Sequence, residues 1–265
     1  MKNEINNRLV QIFRSIRLLL HIISGLIQSA VYPHLDQPAQ WRMSQRWSAQ
    51  LLAILCIRLC HSGAPPPAEA QRVMLAANHI SWLDVYSLNA VCPARFVAKA
   101  EIRGWPLLGW LSRNAGTLFI ERTKRSDTAR INADIADVLK IGDRVAVFPE
   151  GTTNDGTSLR HFHASLLQSA ITASAILVPV AIRYTDIAGK VSETAPYVNI
   201  SMLGSLRRIL KQPWINVELI FADPIDSSGK NRRELARYAE QAIAHALSLP
   251  LPHKTPEKSG DLQGE

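Results

Sequence analysis

Residues 73–84 read Val-Met-Leu-Ala-Ala-Asn-His-Ile-Ser-Trp-Leu-Asp, and residues 145–152 read Val-Ala-Val-Phe-Pro-Glu-Gly-Thr. Each stretch opens with a short, uninterrupted apolar run, the pattern of a strand buried on both faces of a parallel sheet. Each then passes abruptly into polar residues. Two polar sites at the carboxyl ends of two buried strands imply one crevice in an α/β sheet.

The surrounding chain fits that reading. Apolar runs at 73–77, 95–98, 117–120, 145–148, 176–182 and 217–222 alternate with helical patterns near 81–89, 126–139, 158–172 and 232–249. In the last of these Leu235, Ala239, Ala242, Ile243 and Ala246 share one face, as expected of a helix lying on a sheet. Alternation of this kind implies an α/β fold with a mostly parallel or mixed sheet flanked by helices.

Gly63-Ala64-Pro65-Pro66-Pro67-Ala68 is the clearest break. It divides an N-terminal helical segment, 1–62, from the main domain, 70–250, and an aperiodic tail follows at 251–265. From Leu18 to Tyr32 no residue carries a formal charge, and Arg14 and Arg17 precede this stretch. Its length falls short of the roughly 20 residues a spanning helix needs. Tyr-Pro-His-Leu-Asp follows, without the small-x-small site of a signal peptide. A second amphipathic stretch, Trp41 to Leu59, carries Arg42, Arg46 and Arg58, so basic residues flank the apolar segment on both sides. A two-helix motif dipping into one leaflet fits this pattern. The plain alternative is a packed α-subdomain.

The formal net charge is +8 and the pI about 9.7, which favours anionic partners. Nucleic acid fits poorly, because the basic residues are dispersed and aromatics make up only 6%. Cys56, Cys60 and Cys92 form no disulfide framework. Cys56 and Cys60, four apart in an apolar helical stretch, read as reduced thiols of a cytoplasmic protein. No metal site is expected: His161-Phe162-His163 has no evident third ligand. Ser227-Ser228-Gly229-Lys230 lacks the glycine and hydroxyl of a phosphate loop. No Gly-x-Ser-x-Gly elbow is present.

The chemistry centres on His79 and Asp84. An imidazole beside a carboxylate makes a general base near neutral pH. In one continuous helix, five residues at about 100° each would set the two about 140° apart. Ser81 offers a way round this, as the N-cap of a helix with Asp84 at its third position. His79 then lies in the preceding loop and folds back onto Asp84. Gly151 suits a close backbone approach or a positive φ, and amides around Glu150-Gly151-Thr152 can meet an anion. Glu150 can bind a polyol hydroxyl or steady cations. Arg122 ends the run Thr117-Leu118-Phe119-Ile120-Glu121-Arg122 and suits bidentate phosphate binding. The plain readings are an acidic cap for Glu150 and a solvated arginine for Arg122.

Taken together these strings resemble the glycerolipid acyltransferase family, which includes the 1-acyl-sn-glycerol-3-phosphate acyltransferases. Asn78-His79 through Asp84 matches the family's His-x4-Asp block, Gly116 through Arg122 its second block, Phe148 through Thr152 its third, and Val178-Pro179-Val180 its fourth. The similarity covers about residues 70–222, and members of the family carry an N-terminal two-helix membrane motif.

The resemblance implies an O-acyltransferase at the cytoplasmic face of the inner membrane, peripheral or monotopic. A fatty acyl group would pass from acyl-CoA or an acidic acyl carrier protein to the hydroxyl of 1-acyl-sn-glycerol-3-phosphate. The donor is a substrate, and no cofactor or metal is implied. His79 and Asp84 are the catalytic pair. Arg122 and Lys99 hold the acceptor phosphate, and Glu150, Gly151 and Thr152 shape the acceptor end. Two departures bear on the acceptor. Thr153-Asn154 stands where Arg-Ser is frequent, and Phe162-His163-Ala164-Ser165 where Phe-Lys-x-Gly is common. They keep lyso-ornithine lipid or another lysolipid open as acceptor. A thioester hydrolase and a non-catalytic lipid-binding protein are the readings from other classes.

Overall fold

The computed structural model describes residues 2–106, 108–120 and 125–252. Two helices lead the chain, α1 (Lys2–Val31) and α2 (Gln37–Ile54), followed by β1 (Ile57–Ser62), β2 (Val73–Ala77), α3 (Leu83–Val91), β3 (Arg95–Lys99), α4 (Leu108–Asn114) and β4 (Leu118–Ile120). Then come α5 (Arg125–Lys140), β5 (Arg144–Val147), α6 (Gln168–Thr172), β6 (Ile176–Thr185), α7 (Met202–Lys211), β7 (Ile215–Phe221), β8 (Ile225–Asp226) and α8 (Arg232–Leu247).

The strands form one mixed sheet in the order β1-β7-β6-β2-β5-β3-β4, with β8 pairing β6. Neighbours run parallel except β6 with β7 and β6 with β8. β2 lies at the centre and is buried throughout. Its alternate residues serve two cores: Val73, Leu75 and Ala77 pack with α2, α3 and α7, and Met74 and Ala76 with α5, α6 and α8. This burial on both faces is why the run carries no polar alternation.

The connections leaving β2 and β5 place the crevice. From β2 the chain goes to α3 on one face of the sheet; from β5, its parallel neighbour, it goes by way of α6 on the other. Paths that part to opposite faces leave an opening between the carboxyl ends of the two strands.

The structure corrects several expectations. The helix expected from Trp41 to Leu59 stops at Ile54, and residues 57–62 form an edge strand parallel to β7. β-Branched and polar residues there leave the helical period, and Cys56 turns the chain at φ 55°. Cys56 and Cys60 therefore share no helix. The Gly63–Pro67 break is a connection within the sheet, and a Cβ on Gly63 would lie 2.0 Å from the Phe221 carbonyl oxygen.

Of the helix expected at 158–172 only Gln168–Thr172 forms, because backbone groups before it brace the site instead. Leu251, placed in the tail, packs on the α8 core, and residues 253–265 lie outside the described residues. The apolar segment at Leu18–Tyr32 lies, all but its last residue, in a 30-residue helix, which removes the length argument against a crossing. By length and composition it is apolar enough to span a bilayer.

Arg14 lets a charge sit within that apolar helix. It is buried, and donates to the carbonyls of Ile54 (3.3 Å) and Leu55 (2.6 Å) at the end of α2, and of Leu210 (2.9 Å) and Gln212 (2.8 Å) at the end of α7. A cation at two helix C-termini satisfies orphan carbonyls and complements both dipoles. Arg14→Ala should lower stability by about 2 to 4 kcal/mol, since several buried acceptors lose their donor at once. Thermal unfolding in detergent measures this, and an unchanged midpoint would contradict the role given to Arg14.

Candidate active site

β2 ends at Ala77, and the next residue fixes the exit of the chain. The Asn78 side chain donates to the Ile182 carbonyl (2.9 Å) and accepts from the Ile182 N–H (2.7 Å), imitating one more ladder pair with β6. His79 follows in a short loop, and its backbone is fixed on both sides. Its N–H donates to Glu150 Oε1 (2.9 Å), and its carbonyl accepts from the Asn154 N–H (2.8 Å). The loop after β5 thus holds the loop after β2 through two hydrogen bonds.

The histidine ring turns onto Asp84. Nδ1 lies 2.8 Å from Asp84 Oδ2, which also accepts from the backbone N–H groups of Ile80 (2.7 Å) and Ser81 (2.9 Å). The other oxygen accepts from the Tyr184 hydroxyl at 2.8 Å. Four donors fill the acceptor capacity of a fully buried carboxylate. A carboxylate so surrounded can only accept from Nδ1, which assigns the ring proton there and leaves the Nε2 lone pair free. The imidazole stacks on Phe148, with centroids 4.0 Å apart and planes inclined by 13°. One-fifth of the His79 side chain stays exposed.

His79 and Asp84 therefore meet as expected, with one change of detail. The Asp84 carboxylate does reach back to the helix entrance, but the Ser81 hydroxyl makes no cap and is buried without a partner among the described residues. The helix begins at Leu83, and the aspartate alone organises its first turn.

Glu150 is placed differently from the polyol or cation ligand expected of it. It is 3% exposed, and both oxygens are engaged inside the protein: Oε1 with the His79 N–H, Oε2 with the Asn154 side-chain amide and the Arg160 N–H. Burial pushes its carboxyl up to about 7, against the pull of those hydrogen bonds. Gly151 takes φ +76°, and its N–H closes the turn onto the Phe148 carbonyl at 3.0 Å. Thr152 is exposed at the tip of this turn.

Lys99, exposed at the end of β3, is the register partner of Ile120, where β4 ends. The parallel strands β2, β5, β3 and β4 thus deliver His79, Glu150 and Lys99 to one edge of the sheet. Arg122 lies outside the described residues.

Several contributors were not legible in advance. Tyr184 lies a hundred residues from Asp84 and just beyond the strand expected at 176–182; burial and the neighbouring carboxylate push its hydroxyl pKa well up, which keeps it a donor. Asn78 looked like part of a motif without a task. Thr153 and Asn154, where the sequence departs from the family, carry the scaffold. Thr153 donates to the Tyr197 carbonyl, and the Tyr197 N–H donates to Ile80 at 2.9 Å. In the second departure Phe162 is fully buried and the His163 N–H donates to the Pro149 carbonyl at 2.9 Å.

Beside the site, an apolar cavity of about 150 Å³ is lined by Gly25, Trp47, Tyr86, Phe96, Leu111 and Ala115, among others. Phe96 on its wall stacks with Phe148 (centroids 6.0 Å apart), which in turn stacks with His79. A line of aromatic rings joins the cavity to the candidate base.

Comparison with known proteins gives the family. The acyltransferase family model matches residues 59–183, from β1 into β6. A lyso-ornithine lipid O-acyltransferase from Pseudomonas aeruginosa is 40% identical over 91% of this chain and 94% of its own length. The chain belongs to the acyltransferase family. A 1-acyl-sn-glycerol-3-phosphate acyltransferase from Neisseria meningitidis is 39% identical over 73% of this chain and 76% of its own. The crystal structure of PlsC, the 1-acyl-sn-glycerophosphate acyltransferase of Thermotoga maritima, superposes with a TM-score of 0.67 at 20% identity. It covers 92% of this chain and 96% of that one, so the two share a fold over most of their length. The chain is an O-acyltransferase of the type that acts on lysolipids.

The raised carboxyl of Glu150 has a measurable signature. The folded chain holds this proton more tightly than the unfolded one, so the group's contribution to stability is full below pH 4.5 and is lost as pH rises through about 7. Glu150→Gln removes the titration and keeps the shape. Denaturant unfolding between pH 4.5 and 7.5 should show a decline in wild type that the variant lacks; parallel curves would contradict the assignment.

Proposed function

We propose that the chain transfers a fatty acyl group from acyl-CoA or acyl carrier protein to the free hydroxyl of 1-acyl-sn-glycerol-3-phosphate, forming phosphatidic acid. The observation that carries the catalytic part is the His79–Asp84 pair, in which Nδ1 meets the buried carboxylate at 2.8 Å while one-fifth of the histidine side chain stays exposed.

In the reaction His79 Nε2 takes the proton of the acceptor hydroxyl as that oxygen attacks the thioester carbonyl. The new acyl–oxygen bond forms, the carbon–sulfur bond breaks, and the thiolate leaves with the proton returned from the imidazolium. Asp84 fixes the tautomer and stabilises the transient imidazolium from Nδ1. A thioester is already activated, so no acyl-enzyme is required. The apolar cavity reached through Phe148 and Phe96 suits the hydrocarbon chain of the acyl group.

Lys99 and Arg122 supply the phosphate affinity in this reading. Gly151 and Thr152 form the turn at the acceptor end, and Glu150 serves from beneath by holding the His79 backbone. α1 would lie in the cytoplasmic leaflet. Phe13, Ile16, Leu20, Ile23 and Ile27 are each more than 40% exposed along it, and a single-chain lipid would enter beside them.

A second acceptor has its own support. The Pseudomonas relative that matches nearly the whole chain is a lyso-ornithine lipid O-acyltransferase, and such a lipid carries no phosphomonoester for Arg122 to grip.

Acyl transfer from labelled acyl-CoA and acyl carrier protein, with the two lysolipids in competition, tests both readings. We expect transfer to lysophosphatidic acid, a loss of about 10²–10⁴-fold in His79→Ala, and a loss of at least tenfold in Arg122→Ala. Transfer to lyso-ornithine lipid alone, indifferent to Arg122, would replace the acceptor. Free fatty acid released without any acceptor would indicate a hydrolase.

A further inference from the structure

One basic surface takes no part in the site. On α7 the side chains of Leu203, Arg207, Arg208 and Lys211 are exposed, while Ser205, Ile209 and Leu210 are buried. Residues 203, 207 and 211 are four apart, so they form one stripe along the solvent face, with Arg208 beside it. Leu203 is 57% exposed at the head of this stripe. Trp214, three residues past the helix, lies beneath Arg58 of β1, whose guanidinium is 3.9 Å from the ring centre. The exposed ion pairs among the described residues lie elsewhere, on α5 and between β6 and β7.

The position of α7 is tied to α1. The two helices pack together, and Arg14 of α1 holds the carbonyls of Leu210 and Gln212 at the end of α7. α1 itself exposes apolar side chains from Leu9 to Val31. An occupant that covers both helices must offer hydrocarbon to one and negative charge to the other. An anionic phospholipid surface does both, whereas an acidic protein would leave the α1 stripe and Leu203 uncovered.

We propose that α7 is a headgroup-docking helix, in which Arg207, Arg208 and Lys211 bind the anionic lipid surface while Leu203 and Trp214 sit at its boundary. The inference rests on the lipid-facing reading of α1. Basic residues near an anionic leaflet each add to the attraction, and tryptophan favours the membrane–water boundary. Because the Trp82 indole N–H donates to Ser205 on the buried face of α7 at 3.0 Å, docking here would also seat the loop that carries His79, and the first turn of α3 with Asp84, against the bilayer.

Flotation of the full-length protein with vesicles tests this, using pure phosphatidylcholine and a mixture of phosphatidylcholine with phosphatidylglycerol. Arg207→Gln/Arg208→Gln/Lys211→Gln should bind the anionic vesicles about a hundredfold more weakly than wild type. Both should bind the neutral vesicles alike, and both should turn over acyl-CoA equally in detergent micelles. High salt should reduce wild type to the level of the variant.

Equal binding of both proteins to anionic vesicles would overturn the proposal alone. Wild type that bound neither vesicle would overturn the reading of α1 and the proposal with it. A variant that kept vesicle binding but lost turnover only with acyl carrier protein would give the surface to the carrier.

Discussion

A buried carboxylate with all its acceptor positions filled is the constraint from which the rest of the site follows. Asp84 lies at the floor of the crevice and accepts from two backbone amides, a tyrosine hydroxyl and the ring of His79. The two amides wrap the chain around the carboxylate before α3 begins, which is how residues five apart come to touch. The tyrosine holds the opposite oxygen, so the carboxylate has no freedom to turn away. A carboxylate charge out of water is costly unless every lone pair is matched. Here the matching groups also aim the imidazole.

That arrangement needs a rigid frame, and the frame comes from the sheet. β2 lies between β5 and β6, and the site draws on the carboxyl ends of β2 and β5 and on the carboxyl-terminal half of β6. Asn78 and Tyr184 tie it to β6, while Glu150 and Asn154 tie it to the loop after β5. His79 thus has its ring, its N–H and its carbonyl each held by a different part of the fold. Preorganisation of this kind places a base where a bound hydroxyl will be, without reorganisation during the reaction. The N-terminal helices join the same frame, since Arg14 closes the ends of α2 and α7, and α7 reaches the catalytic loop through Ser205 and Trp82.

Where the sequence could be read, the signal was local. The apolar runs of β2, β5 and β6 showed a doubly covered sheet, and α8 announced itself by its apolar face; its Asn231–Glu234 capping box emerges only in the structure. His79 and Asp84 were legible because their spacing needed a loop-to-helix boundary, and Ser81 marked one, although its hydroxyl turned out to take no part. Longer-range partners were hidden. Nothing near Tyr184 indicates that it would meet Asp84, nor anything near Asn78 that it would pair with Ile182, and Glu150 looked like a ligand because burial is not written in a single residue. β1 was misread because α2 and β1 are joined without a glycine or proline, only by Cys56 in a left-handed turn. The apolar stretch of α1 falls short of a span only when it is cut at Arg17, and the helix runs on past both Arg17 and Arg14. Arg14 is instead a buried tie inside a continuous helix.

The central claim is that Asp84 orients His79 by its charge and through Nδ1. The direct measurement is the turnover of Asp84→Asn with saturating acyl donor and lysolipid, alongside its thermal unfolding. Asparagine can keep the shape, with its oxygen toward His79 and its amide toward the Tyr184 hydroxyl. Its neutral oxygen can still accept from Nδ1, but it supplies no negative charge to stabilise the imidazolium. The account predicts a folded protein with turnover reduced about 10³–10⁴-fold. A folded variant that retains turnover within tenfold of wild type would contradict it.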